Sequence, residues 1–198
     1  MTILDHLENH LGPIEGGWSK APAGQQTSVT VVRLGGGQLK GCRVFATVGL
    51  SNHTLASRVS SKLIRQELVF IAKGEFGDRN IPGLLDQAAV EAIETHKAYL
   101  RGDILGPRGP LFNEGAMEAL YVGIPVYLAD SFASFRRDDG DTTVLAWLVP
   151  IAAGEARFVA TAGWEAFEDE LVKLDPDLAD PLRPPIALPL REGTTPVR

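Results

Sequence analysis

Few side chains in this sequence have the type and spacing to do chemistry. Cys42 and His53 are the residues of a thiolate–imidazole nucleophile pair, provided both reach the rim of one sheet. Arg43, next to the thiol, would favour its ionised form. Glu67 stands near the start of the apolar run RQELVFIA, where a carboxylate either takes part in catalysis or accepts backbone N–H groups from a neighbouring rim loop. His6 and His10 lie four apart on one helical face, a spacing that can hold a metal. Glu8 falls on another face, and there is no H-E-x-x-H motif or distant third acidic ligand. Cys42 sits inside an apolar strand pattern and also reads as a small buried hydrophobe. The three glycines at 35–37 follow a strand, yet no G-x-x-x-x-G-K-[ST], no G-x-G-x-x-G and no following helix makes them a phosphate loop. There is no G-x-S-x-G, no kinase set and no credible carboxylate pair. No catalytic residue is assigned. A small hydrolase or transferase using Cys42, His53 or Glu67 stays open as the alternative.

The elements that must position these residues follow from local pattern. Residues 3–11 carry the stripe Ile3, Leu4, Leu7 and Leu11, a capping box of Thr2 with Asp5, and a Gly12-Pro13 stop. Residues 16–27 read as a polar loop with Trp18 turned to the core. Residues 28–34 and 41–48 read as strands joined by a hairpin turn. Gly49, Leu50, Ser51, Asn52 and His53 then form a tight loop at the sheet rim, and residues 57–62 a polar loop. Residues 65–72 make a third strand. The longest helix is expected over 78–100, with Pro82 in its first turn and His96 at its exposed edge.

A short extended piece follows at 102–106. Residues 119–129 are apolar but contain Gly123 and Pro125, which suggests an edge or irregular strand. Phe132 and Phe135 are expected in a surface segment before a hairpin tip at 136–141. Residues 144–151 return as a strand. Then come a turn with Gly154, a structural carboxylate at Glu155 and a short apolar strand at 156–160. The last helix puts Trp164, Phe167 and Leu171 on one face and Glu165, Glu168, Asp169 and Glu170 on the other. Hairpins dominate, so the expected class is α+β: a largely antiparallel mixed β-sheet with helices packed on one side. One domain is expected over 1–190, with a flexible tail at 191–198.

Bulk properties restrict the function classes. The chain has 198 residues, 44% of them hydrophobic and 22% charged, with a net charge of −6. Its one cysteine excludes an intramolecular disulfide and a Cys-based zinc site. The first twelve residues lack a basic n-region, and no apolar run approaches the roughly 18 residues of a membrane span. A cytoplasmic protein without membrane partner, metal or cofactor is therefore expected. Between Asp138 and Asp180 eleven acids face two bases, a net of −9 that leaves +3 for the rest of the chain. Such a surface argues against nucleic acid. It suits a basic partner, or serves solubility alone.

Several segments, in this order, resemble the Suppressor of fused domain family. They are VFATVGLS at 44–51, ELVF at 67–70, the long helix followed by Gly102-Asp103, LAWLVPIAAGE at 145–155, the helix at 163–171, and Asp177-Leu-Ala-Asp180 with Arg183. The resemblance implies a mixed domain with a central sheet, acting as a non-enzymatic module that binds a protein or peptide. In animals such a domain is the first lobe of a Hedgehog-pathway repressor that clamps a Gli peptide, partly by strand addition. This chain matches that lobe alone, so Gli regulation is not carried over. Bacterial single-domain relatives are proposed as immunity proteins that neutralise toxins. A toxin is thus the most concrete expected partner, and residues 49–53 with Glu165, Glu168 and Glu170 are the candidate contacts. A purely structural subunit, self-assembling through an edge strand at Pro125, is a third reading.

Overall fold

The computed structural model describes residues 1–19 and 29–189; the tail expected at 191–198 lies outside them, as does most of the loop expected at 16–27. The capping box forms as the sequence dictates: Asp5 N–H donates to Thr2 Oγ1 at 3.2 Å and Thr2 N–H to Asp5 Oδ2 at 2.8 Å, opening α1 (Ile3–Leu11). The strands are β1 (Ile14–Trp18), β2 (Thr30–Leu34), β3 (Cys42–Val48), β4 (Leu55–Ala56), β5 (Leu63–Lys73), β6 (Ile104–Leu105), β7 (Met117–Gly123), β8 (Ser134–Arg136) and β9 (Thr142–Ala152). They make one sheet in the order β1-β2-β3-β5-β9-β7-β6, with β4 beside the start of β5 and β8 beside the start of β9. All pairs are antiparallel except β5 with β9, so the class is α+β with a mixed sheet, as expected.

Helices cover both faces of the sheet rather than one. On one face, Phe45, Leu68, Phe70 and Leu148 pack against Ile81, Leu85 and Ala89 of α2 (Ile81–Thr95). On the other, Val44, Val69, Ile71 and Trp147 pack with α1, α3 (Ala153–Ala162) and α4 (Trp164–Leu174). The cause is visible in β5 and β9, whose central residues form unbroken apolar runs instead of alternating. That is the signature of strands buried on both faces.

Five local expectations are corrected. Residues 14–18 form an edge strand instead of starting a loop, with Trp18 half-buried against Phe45. The long helix stops at Thr95, because His96 adopts a left-handed conformation and Ala56 bridges to Lys97. β7 is interior, between β6 and β9, and Pro125 lies after it. Phe132 and Phe135 are buried, stacked on His6 at 5.6 and 4.8 Å between ring centroids. Residues 156–160 are helical within α3, where Ala156 and Val159, three apart, share the buried face.

After α4 the chain returns across the sheet. Ala179 O accepts Lys73 N–H at 2.8 Å. The buried Arg183 guanidinium then grips Glu155 with two bonds of 2.8 and 3.0 Å. Glu155 also accepts the Ala152 and Ile186 N–H groups, so the structural role expected for this carboxylate holds. Among the described residues no helix is long and apolar enough to cross a membrane.

Candidate functional site

The 49–53 loop exists because the sheet opens at the head of β5. β3 pairs with β5 only as far as Ala46 opposite Val69. Beyond that, Thr47 Oγ1 accepts Leu68 N–H at 2.8 Å and donates to Glu67 Oε2 at 2.6 Å. Glu67 Oε1 accepts Gly49 N–H at 2.9 Å and Ser51 N–H at 3.0 Å. Gly49 sits at φ +112°, which a side chain would resist, and so its N–H can face the carboxylate. Burial pushes the Glu67 carboxyl above its ordinary value, while the hydrogen bonds from Thr47, Ser51 and Gly49 pull the other way. From outside, Arg65 Nη1 donates to Ser51 O and Asn52 O at 2.9 and 3.2 Å, and Arg137 Nη1 donates to Ser51 Oγ at 3.3 Å. The expected bonding of Glu67 to this loop is therefore present. Its consequence is that Gly49, Leu50 and Ser51 are buried, His53 is half-buried and Asn52 alone is exposed. The start of β5 beside them is not an open edge, because β4 and β9 flank it.

The Cys42–His53 pair does not form. Cys42 begins β3 and His53 lies beyond its far end, about 20 Å away at strand rise. Burial, reinforced by the charge of Asp177, pushes the Cys42 thiol up and away from the thiolate. The two helix histidines are also committed to structure. His6 Nε2 bonds to Phe132 O at 3.0 Å; His10 bonds to His6 O at 2.9 Å and to Ser131 Oγ at 3.1 Å. Among the described residues no group of three or more His, Cys, Asp or Glu side chains is placed to hold a metal.

The acidic stretch from 138 to 180 is less uniform than its sequence. Asp138 meets the N-terminal amine, Asp139 meets Arg137 and Asp141 meets Arg65. Glu155 meets Arg183, Glu170 meets Lys173, and Asp177 and Asp180 share Lys73. Glu168 does not project from the helix as the sequence suggests. Arg101 grips it, with Nε to Oε1 at 2.9 Å, and Tyr121 donates to Oε1 at 2.7 Å. Burial raises the Glu168 carboxyl, but Arg101 and Tyr121 outweigh burial and hold it below the usual carboxylate value. Glu165, Asp169 and Asp175 remain, exposed and without a salt bridge among the described residues. All three lie on α4 or at its C-terminal cap.

Asp175 lines an apolar groove of about 260 Å³ between α4 and the sheet, together with the ion-paired Arg101 and Glu168; Glu165 and Asp169 lie on α4 outside that lining. Tyr121, Trp147 and Val149 form its floor, Leu171 and Val172 one wall, and Ile124 and Val126 the other. Val126 is 67% exposed and Val172 83%. The sequence reading missed this groove. Its one local signal was Val172, an apolar residue beside the Trp164–Phe167–Leu171 stripe rather than on it. The 49–53 loop belongs to the heads of β5 and β9, and Glu165, Glu168 and Glu170 belong to α4. No described hydrogen bond or ion pair joins the two sets.

Comparison with known proteins supplies the family. The family model for Suppressor of fused protein (SUFU) matches residues 25–184. A candidate Suppressor of fused homologue from Neisseria gonorrhoeae FA 1090 superposes with a TM-score of 0.72 at 17% identity, covering 94% of this chain and 96% of that one. A chain from the Sufu–Fu complex gives 0.63 at 14% identity, covering 89% of this chain and 83% of that one. Drosophila Suppressor of fused gives 0.61 at 14% identity, covering 89% of this chain but 46% of that one, so this chain spans less than half its length. No match was found among curated proteins. The likeness to these structures fixes the fold, and the match over residues 25–184 fixes the family: the chain belongs to the Suppressor of fused family.

Proposed function

We propose that this domain is a non-enzymatic binding module for a polypeptide partner. The observation that carries this reading is the groove beside α4, where exposed apolar side chains meet the Asp175 carboxylate on the surface of a Suppressor of fused domain. Exposed apolar residues scattered singly are ordinary, but a contiguous cluster with a polar rim is typical of an interaction site. One structure of this fold comes from a complex of Sufu with Fu. The separation of Cys42 from His53, with the raised thiol, removes the support for the nucleophile alternative.

In its finer form the partner is a toxin, which the domain neutralises by covering it. This rests on the resemblance to single-domain immunity proteins. The test is co-expression with the toxin-like product of a neighbouring gene, together with recovery of the complex by affinity purification. Restored growth and a stoichiometric complex are the expected result. Recovery of a non-toxic polypeptide would leave a binding module and remove the toxin. Turnover of a small molecule with no polypeptide recovered would overturn both.

A further inference from the structure

We infer that the α4 groove receives a partner segment with one large apolar side chain flanked by Lys or Arg. This rests on the reading of the domain as a polypeptide-binding module and specifies the chemistry it recognises. At about 260 Å³ the groove is smaller than the roughly 300–1,000 Å³ of small-molecule sites, and suits a single anchoring side chain. Its floor is aromatic, with Tyr127 packed 5.1 Å from Trp147, and rigid, because Tyr121 is fixed by Glu168 and Tyr127 by Leu178 N–H at 3.0 Å. A preformed floor takes up an apolar side chain without first having to order itself.

Charge selects what flanks the anchor. Eight of the eleven acids in the stretch from Asp138 to Asp180 already have cations beside them; of the other three, Asp175 lines this groove and Glu165 and Asp169 lie on α4, the helix that forms one of its walls. On α4, Glu165 and Asp169 are one turn apart, and Val172 lies three residues beyond Asp169. Asp175, itself part of the groove lining, follows three residues later. The helix that forms the apolar wall thus carries three carboxylates without a salt bridge among the described residues, while the cation in the lining, Arg101, is held by Glu168. A basic flank would meet complementary charge there and an acidic flank would be repelled.

The test uses the full chain, isotope-labelled, with two short synthetic peptides. Both carry a central Leu or Trp; one has Lys/Arg flanks and the other Glu flanks. The basic peptide should bind at least tenfold more tightly at low salt and shift the amide resonances of Gly123, Val126 and Val172. Val126→Glu and Val172→Glu, at exposed positions, should each weaken it about tenfold with the thermal midpoint unchanged. Glu165→Lys combined with Asp169→Lys should abolish the preference between the peptides. Equal affinity for both peptides, no binding of either, or shifts confined to residues 49–53 would overturn the inference. The broader reading is judged separately: a natural complex unaffected by Val126→Glu and Val172→Glu would preserve the binding module and refute this groove.

Discussion

The head of β5 and the flank of α4 both look polar and available in the sequence, and they differ in where their hydrogen-bonding capacity goes. Around the head, Thr47, Gly49 and Ser51 all point inward to the Glu67 carboxylate, while Arg65 and Arg137 hold the Ser51 side from outside. On α4, Glu165, Asp169 and Asp175 have no salt bridge or side-chain hydrogen bond among the described residues, and Val172 is largely in water. A polar residue at a rim is a candidate contact only if the fold has left it unpaired. By that criterion Gly49, Leu50 and Ser51 belong to the scaffold, while Asn52 and the α4 flank face outward.

The largest effects should come from the carboxylates that the fold has enclosed. Glu155 lies within the same acidic stretch as the α4 carboxylates, yet it is buried against Arg183. Arg183→Ala should cost about 3–5 kcal/mol, since it leaves an uncompensated buried charge. Urea denaturation measures this; a loss below about 1 kcal/mol would mean that the returning C-terminal segment contributes little. Glu67→Ala should follow at about 3 kcal/mol, because two buried N–H groups and the Thr47 hydroxyl lose their acceptor. Hydrogen exchange at the Gly49 and Ser51 amides should accelerate in step. Unchanged exchange there would return the loop to the list of free surfaces.

A drop in pH should separate the two regions without mutation. Burial holds the His6 imidazole below its ordinary value of 6.5, against the bond to Phe132 O, with His10 adding to the effect. A group with a lowered value stabilises the fold above 6.5 and loses that contribution as pH falls toward the folded value. Acidification below 6.5 should therefore loosen α1 and the segment of Phe132 and Phe135, beside the hairpin that carries Arg137. The α4 flank should be unaffected. Amide exchange read by residue across pH 5–7 checks this (an about two-unit window around the ordinary histidine value). His6→Gln should flatten the dependence, and equal loosening of α4 would contradict it.

How much of this was legible depended on sequence distance. The Thr2–Asp5 capping box was legible because three residues contain all of it. Glu67 could be assigned to the 49–53 loop because a lone carboxylate in an apolar strand needs donors, and that loop ends the preceding strand. The pairing of Arg101 with Glu168, 67 positions apart, left no local trace. Glu168 therefore read as projecting outward from the apolar face. For the same reason the net of −9 over residues 138–180 overstated the exposed charge. Arg65, Arg101, Arg183 and Lys73 come from elsewhere in the chain to neutralise it. Residues 156–160 fit a strand as well as a helix, because a five-residue apolar run suits either period. The second covering layer was legible in LVFIA, whose lack of alternation already excludes a solvent-facing side.

The smallest stability effect, and the most informative for function, belongs to Glu165 and Asp169. Glu165 sits in the first turn of α4, where a negative charge is favoured by the helix dipole. Its exchange for lysine loses that contribution but relieves the like-charge pair with Asp169 one turn on. Asp169→Lys likewise removes that repulsion while placing a second lysine one turn before Lys173. These terms are each a few tenths of a kcal/mol and of opposite sign, so both single variants should stay within about 0.5 kcal/mol of the parent. Asp175 needs a different change: it caps α4 at φ +44°, where asparagine is tolerated and lysine strained, so Asp175→Asn isolates its charge. If thermal melts place any of the three more than about 1 kcal/mol below the parent, the side chain supports the fold, and the distinction between an enclosed head and a free flank fails at that residue. If all three melt with the parent yet lose the basic peptide, the α4 flank is a surface whose charge serves recognition.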